Sequence, residues 1–385
     1  MRNLLKLLFS FTSKCLSVLN KFISKRNTFI LFYADPAYND NVRALFQYCL
    51  ENNYQSKYRL YSTVRINQCK DTENVFFISR MRALFIFLKA KYVFYDVGTT
   101  RIKPTSKQIV VQLWHGTPLK KIGRSVSKSS DRINDFSFVI TTADSFIEIF
   151  KNAFGCSSDQ VKVFEYPRNE FLFKPDYSVM KSYQKKTYKK NILWMPTFRN
   201  SRKQMAKFKM AYDTLLPMFS TENMLNELNN FLSEKDFFLT VKLHPAAVEN
   251  EFPLPSYSNI KIFNNNMYSE LGVQNYSFVS CFDVLITDYS SVYFDWLLLD
   301  RPLAFTINDI SDYNNKRGFV FDNPLDYMPG EIIQTPQQFY DFLCHVENQV
   351  DTFSDFRHRV RSLSHTNTIE HGICKALLDD IGIFI

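Results

Sequence analysis

The sequence predicts an α/β protein built from two Rossmann-like domains facing a central cleft. Two observations carry that expectation. Short β-rich runs alternate with helical stretches from Asn27 onward, and the same scheme starts again after a polar, Lys/Tyr-rich tract at residues 174–190. Alternation of this kind reads as βαβ units, whose strands run parallel. Composition agrees: of 385 residues, 45% are hydrophobic and 22% charged, with nine glycines and fourteen prolines. That balance can build packed cores and excludes collagen-like, disordered and disulfide-dense classes. The seven cysteines (15, 49, 69, 156, 281, 344 and 374) are scattered without a C-x-x-C pair. They read as reduced thiols of a cytosolic compartment, neither zinc ligands nor a disulfide frame.

Residues 1–27 are expected to form a basic amphipathic helix. Arg2, Lys6, Lys14, Lys21, Lys25 and Arg26 are accompanied by no acidic residue, so six of the nine formal positive charges are local. Leu4, Leu8, Phe11, Cys15, Val18, Leu19, Phe22 and Ile23 recur at helical spacing between them. No apolar run reaches the roughly 18 residues of a spanning helix. Lys6 splits the apolar run, and no small-residue cleavage site follows it, so the segment is read as mature sequence. An anionic membrane surface would suit such a helix; the alternative is a helix packed on the protein's own core.

Residues 28–173 are predicted to be the first Rossmann-like domain. Its strands are expected at 29–33, 75–78, 92–95, 109–113 and 138–141, and its helices at 42–51, 79–89 and 145–154. Residues 174–190 are predicted to be a linker, and 191–385 the second domain. There the strands are expected at 192–195, 237–243, 260–263, 284–287 and 303–305, and the helices at 223–232, 291–299 and 337–350. No G-x-G-x-x-G or Walker cradle occurs, which weighs against nicotinamide cofactors and ATP hydrolysis.

Three strand ends carry chemistry. Ile109 to Leu113 runs into Trp114-His115-Gly116-Thr117-Pro118-Leu119-Lys120. A strand-end imidazole titrating near pH ~6.5 can act as general base, which makes His115 the first candidate. Gly116 permits close approach of a ligand, and Thr117 can donate a hydroxyl hydrogen bond. Thr240-Val241-Lys242-Leu243-His244-Pro245 ends a second strand in His244. Thr287-Asp288-Tyr289-Ser290-Ser291-Val292-Tyr293-Phe294-Asp295 joins a third strand to a helix. There Asp288 or Ser290 would cap the helix, while its free N–H groups and the serine hydroxyls would hold a phosphate. Asp295 would be repelled by phosphates and is expected to hold a basic group or a hydroxyl instead.

These motifs, in this order, resemble the CDP-glycerol glycerophosphotransferases of teichoic acid and capsule synthesis. Trp114 to Lys120 is similar to the family's W-H-G-T-P-L-K, Tyr166-Pro167-Arg168-Asn169-Glu170 to its Y-P-R-N-D, and Pro196-Thr197-Phe198-Arg199 to its P-T-W-R. Lys242 to Pro245 resembles its K-x-H-P, and Thr287 to Asp295 its T-D-Y-S-S-x-x-F-D. Arg301-Pro302, Arg317-Gly318-Phe319 and Pro329-Gly330 continue the order.

The resemblance implies a GT-B-like fold and metal-independent, cofactor-free transfer of glycerol phosphate from CDP-glycerol or a related CDP-polyol. The acceptor would be a hydroxyl of a polyol-phosphate polymer or a lipid-linked molecule, with CMP leaving, on the cytoplasmic face of a bacterial membrane. It implies His115 and His244 as essential histidines, and a donor site of Gly116, Thr117, Arg168, Thr197, Arg199, Lys242, Thr287, Asp288, Ser290 and Ser291. Where the family commonly has D-G-x-A-S, this chain has His371-Gly372-Ile373-Cys374-Lys375, which puts contacts from that segment in question.

Between Tyr177 and Tyr212 stand ten Lys or Arg and no Asp or Glu. This tract is either a solvated face or a track for a polyanionic acceptor or lipid headgroups. A nucleic-acid-binding module would need neither His115 nor the Asp288 to Asp295 turn and is set aside. A GT-B glycosyltransferase using a nucleotide-sugar remains the alternative enzyme.

Overall fold

The computed structural model describes residues 12–34, 40–64, 73–96, 101–126, 135–197, 216, 218–243, 256–263, 275–367 and 370–385. His244, Arg199 and residues 1–11 lie outside them. The chain forms two compact units. The first comprises Met1–Thr117, Ile122–Phe173 and Ser364–Ile385; the second comprises Pro118–Lys121 and Lys174–Leu363.

The first unit begins with helix α1 (12–20), then β1 (Arg26–Tyr33), α2 (Asp40–Glu51), β2 (Arg59–Ser62), β3 (Val75–Phe77), α3 (Arg80–Lys89), β4 (Ala90–Tyr95), β5 (Ile109–Gln112), β6 (Phe138–Thr141), α4 (Ile147–Phe154) and β7 (Val161–Val163). Its seven strands pair in the order β3-β2-β1-β4-β5-β6-β7, all parallel. Strands covered on both faces read as continuous apolar runs. Accordingly all four residues of β6, Phe-Val-Ile-Thr, are buried.

The second unit contains α5 (Ser178–Tyr183), β8 (Lys190–Trp194), α6 (Glu222–Glu234), β9 (Phe237–Lys242), β10 (Ile260–Phe263), α7 (Asn275–Val279), β11 (Val284–Thr287), α8 (Val292–Trp296), β12 (Leu303–Thr306), α9 (Ile310–Lys316), β13 (Glu331–Ile333), α10 (Pro336–Glu347) and α11 (Ser354–Ser364). Strand order is β10-β9-β8-β11-β12-β13, again all parallel. Counted within the unit this is 3-2-1-4-5-6, the Rossmann order, and the first six strands of the first unit follow it too. Local signals set the helices. Thr335 and Gln338 form a reciprocal capping box with Pro336 at the first turn of α10. Phe339, Phe342, Leu343 and Val346 then recur at helical spacing and are buried.

The expected strands and helices fall on these elements, and the short strands β2, β7 and β13 are additions. Two expected boundaries need correction. Residues 174–190 are not a free linker: Tyr183 lies in α5, its hydroxyl is 3.0 Å from Thr240 Oγ1, and its ring packs on Phe238 and Phe263. Nor does the second domain run to the C-terminus. The last helix, α12 (Ile373–Asp380), belongs to the first unit, where Cys374, Leu377, Leu378, Ile381 and Ile383 join the core of Ile30, Phe46, Leu60 and Phe94. Patterning could not reveal this, because an amphipathic helix states that it needs a core without saying which one.

Leu377 is fully buried in that cluster. Leu377→Ala is expected to cost about 2–5 kcal/mol, read as a lower urea midpoint for the first unit. An unchanged midpoint would place α12 outside the core.

Candidate functional site

In each unit the expected site residues lie where strands of the parallel sheet end, the side on which open α/β sheets bind ligands. In the first unit β5 ends at Gln112, and the chain turns sharply at Trp114, whose φ of 58° is left-handed. That conformation costs a bulky residue energy and persists only where the surroundings impose it. Here the Gln112 side chain accepts from Trp114 N (3.0 Å), and Asn41 Nδ2 donates to Trp114 O (2.9 Å). The indole packs edge-on against Phe154 and lies 3.9 Å from the His115 ring, centroid to centroid. His115 itself is half-buried, with Nδ1 turned inside. Gly116 follows at φ 129°, a backbone setting that favours glycine.

Arg168 belongs to this group. It sits in the 3-10 segment Pro167–Phe173, only 3% exposed, and its Nη1 donates to His115 O (3.2 Å). The segment is fixed from below. Buried Glu165 accepts from Tyr166 N and Asn169 Nδ2 and lies 2.8 Å from His365 Nδ1, while Glu170 Oε2 accepts from Cys374 N. The divergent His371 to Lys375 stretch presents the start of α12 to the Glu170 carboxylate, a contact internal to the first unit.

The Thr117 hydroxyl is spent inside the protein. It is fully buried, with Oγ1 2.9 Å from Thr142 Oγ1. Thr142 gives its own proton to Ser364 O (2.6 Å), so Thr117 is the donor of that pair.

In the second unit the turn after β11 also differs from expectation. Asp288 does not cap α8. Fully buried, its Oδ2 accepts from both N and Oγ1 of Thr197, each at 2.7 Å, and so ties the end of β11 to the end of β8. Thr287 likewise spends its hydroxyl on Met195 O (2.8 Å). Thr197, Thr287 and Asp288 thus shape the loops through their side chains. Ser290 and Ser291 remain half-buried, and Ser291 occupies the N-cap of α8 without a side-chain capping bond. Asp295 is fully buried and accepts from Tyr276 OH (2.6 Å), the hydroxyl partner its position called for. Lys242, at the end of β9, donates to Asn275 Oδ1 (3.0 Å). Tyr289 stacks on Tyr313 (4.1 Å) and donates to Asp309. Leu119 to Lys121 pairs antiparallel with Gly318 to Val320 through Lys121 N to Gly318 O and Val320 N to Leu119 O.

Sequence reasoning missed Asn41, Gln112, Glu165, His365 and Tyr276, all polar groups that hold a candidate residue. One signal was readable: Asn41 opens the helix after β1, the position that borders the switch in strand order.

A profile of the CDP-Glycerol:Poly(glycerophosphate) glycerophosphotransferase family matches residues 15–368. The teichoic acid poly(glycerol phosphate) polymerase of Bacillus subtilis (strain 168) is 27% identical over 371 residues, which cover 84% of this chain and 47% of that protein. Its namesake from Bacillus spizizenii (strain ATCC 23059 / NRRL B-14472 / W23) is 28% identical over 345 residues, 82% of each chain. The chain thus spans about half the length of the Bacillus subtilis relative. Among solved structures, the wall teichoic acid polymerase TagF superposes with a TM-score of 0.73 at 20% identity, over 99% of this chain and 94% of that one. At that identity the likeness is one of fold.

Asp96, just after β4, yields a pH test. Its carboxylate accepts from Val42 N at 3.1–3.2 Å, and burial raises its pKa well above the usual range, against the opposing pull of that bond and of Arg168. A carboxyl with a raised folded pKa contributes stability that is complete below the unfolded value of about 3.9 and is lost as pH rises through the folded one. Asp96→Asn keeps the acceptor and removes the titration. Between pH 4 and 8 the variant is expected to lose less stability in urea unfolding than the parent; parallel pH curves would show that Asp96 folds ionised.

Proposed function

The chain belongs to the CDP-glycerol:poly(glycerophosphate) glycerophosphotransferase family, and from that premise we propose that it transfers glycerol phosphate, or a related polyol phosphate, from a CDP-activated donor to a hydroxyl of a polyol-phosphate polymer or lipid-linked acceptor. The observation that carries this reading is the His115 turn: a strand-end imidazole whose preceding residue is forced into a left-handed conformation and whose own carbonyl is held by a buried arginine. The acceptor oxygen attacks the glycerol-bearing phosphorus, the anhydride bond to CMP breaks, and the proton of the attacking hydroxyl passes to the His115 imidazole. Charge grows on the transferred phosphoryl oxygens and on departing CMP. Fixed hydrogen-bond donors and cations suited to that task stabilise it through position rather than covalent chemistry.

Ser290, Ser291 and Lys242 of the second unit are assigned to the donor phosphates; in the first unit Gly116 leaves its backbone open to a ligand, and Arg168 acts through the His115 loop. His244 and Arg199 join them on the strength of their motifs. Thr117, Thr197, Thr287 and Asp288 serve the site as supports, since their side chains are engaged internally.

The enzyme works on an anionic lipid surface, on the cytoplasmic leaflet. Among the described residues no helix is long and apolar enough to cross a membrane. Helix α1 packs on its own unit through polar groups: Asn20 Nδ2 donates to Lys103 O and Gln108 Oε1, and Ser17 Oγ accepts from Lys103 N. Its apolar side faces out, with Val18 57% and Leu19 52% exposed, and Phe22 in the turn that follows is 81% exposed, beside exposed Lys14 and Lys21. Helix α3 adds exposed Met81 and Phe85, with Arg82 and Lys89 exposed as well. Apolar side chains framed by cations match the boundary between headgroups and acyl chains. In the described part of the basic tract after Tyr177, Lys186 already pairs with Asp236 and Lys189 lies within reach of Glu347, while residues 198–212 of the tract lie outside the described residues.

His115→Ala is expected to lower CMP release from CDP-glycerol about 10²- to 10⁴-fold while leaving donor binding measurable by calorimetry. Release of a nucleoside diphosphate would instead identify a glycosyltransferase. Separately, Leu19→Glu with Phe22→Glu is expected to abolish co-sedimentation with phosphatidylglycerol vesicles while sparing turnover of a soluble acceptor. Undiminished sedimentation would remove α1 from the membrane contact.

A further inference from the structure

Asn41 is 1% exposed and stands in the first turn of α2. Both ends of its carboxamide are used. Nδ2 donates to Trp114 O (2.9 Å), and Oδ1 accepts from Arg168 N (3.1 Å). Arg168 in turn donates through Nη1 to His115 O (3.2 Å). The carbonyls on either side of His115 are therefore held in one closed circuit: Asn41 to Trp114, along the chain to His115, across to Arg168 and back to Asn41. Two separate loops, one after β5 and one in the Pro167–Phe173 segment, meet on a single amide. The amide is placed by its helix, whose next residue, Val42, donates its N–H to buried Asp96.

We infer that Asn41 is a positioning residue for the transfer: it fixes the peptide planes flanking His115 and so sets the imidazole against the acceptor hydroxyl. The inference rests on the reading of His115 as general base. It adds a residue outside every motif by which the family was recognised. No other uncharged side chain of similar size offers both a donor and an acceptor of this geometry. Aspartate keeps the acceptor toward Arg168 N but presents an oxygen to Trp114 O where a donor is required. Serine is too short to span both loops. Small errors in the placement of a reacting group cost about 10²-fold in rate.

The test uses the full chain with CDP-glycerol and a soluble acceptor. Asn41→Asp is expected to lower kcat about 10- to 100-fold, with KM for CDP-glycerol changed less than about threefold. The added carboxylate, bonded to the Arg168 backbone one peptide away from His115 in the circuit, is expected to move the acid limb of the kcat–pH profile upward. Asn41→Ser, which introduces no charge, is expected to lower kcat without moving that limb. Thermal unfolding identifies any variant that fails to fold, and the other is then read alone. A kcat within twofold of the parent in a folded variant, or a loss confined to KM, would overturn the inference. The base reading fails by a different result: His115→Ala with near-normal turnover. If His115→Ala is inactive and folded Asn41→Asp is not impaired, the clamp alone is wrong.

Discussion

A parallel sheet leaves the ends of its strands as separate loops, and in each unit of this protein one buried aspartate binds the two loops that flank the reversal of strand order. In the first unit Asp96 follows the fourth strand and accepts from the helix that follows the first. In the second, Asp288 follows the fourth strand, β11, and accepts twice from Thr197 after the first, β8. The reversal opens a crevice between neighbouring strands, because their connections leave in opposite directions. A carboxyl group with several lone pairs spans that crevice, where backbone groups alone would be left unsatisfied. Ser290 and Ser291 stand on the loop that Asp288 ties, and the helix that Asp96 holds carries Asn41, which in turn holds the loop of His115.

The fold was readable because parallel strands buried on both faces write themselves as apolar runs, and helices as spaced apolar residues. What escaped were strands of three or four residues, such as Val161–Val163, which carry too little pattern to stand out, and the destination of α12. The site was readable in part. Motifs brought forward His115, Arg168 and the Asp288 to Asp295 turn, but residue type does not state where a side chain points. Thr117, Thr287 and Asp288 looked like ligand groups by type, and each turned out to be engaged with the protein itself. Asn41 and His365 escaped for the opposite reason. Asn41 lies 73 residues before Trp114, whose carbonyl it holds, and His365 lies 200 residues after its partner Glu165, separations only the folded chain removes.

Helix α1 reverses the usual arrangement in which a surface helix buries its apolar stripe. Asn20 and Ser13 point inward and Phe22 outward. Lys25 joins the two exposed apolar helices by bonding both Asn20 and the carbonyl of Leu88 at the end of α3. Buried hydrogen bonds specify where α1 sits while leaving its leucine and phenylalanine for another surface. Periodicity alone could not separate this from ordinary packing, because it reports that two faces differ and not which one faces the protein.

The return of residues 364–385 to the first unit has a consequence for how the chain acquires its structure during synthesis. The core that contains Ile30 and Phe94 is completed by Leu377, Leu378 and Ile383. The core of the first unit therefore cannot be completed before residues 373–383 have left the ribosome, whereas residues 174–363 are all synthesised earlier. Domains generally fold as units, N-terminal first. In this protein the order of synthesis is the reverse: the residues of the second core are all made before the helix that completes the first.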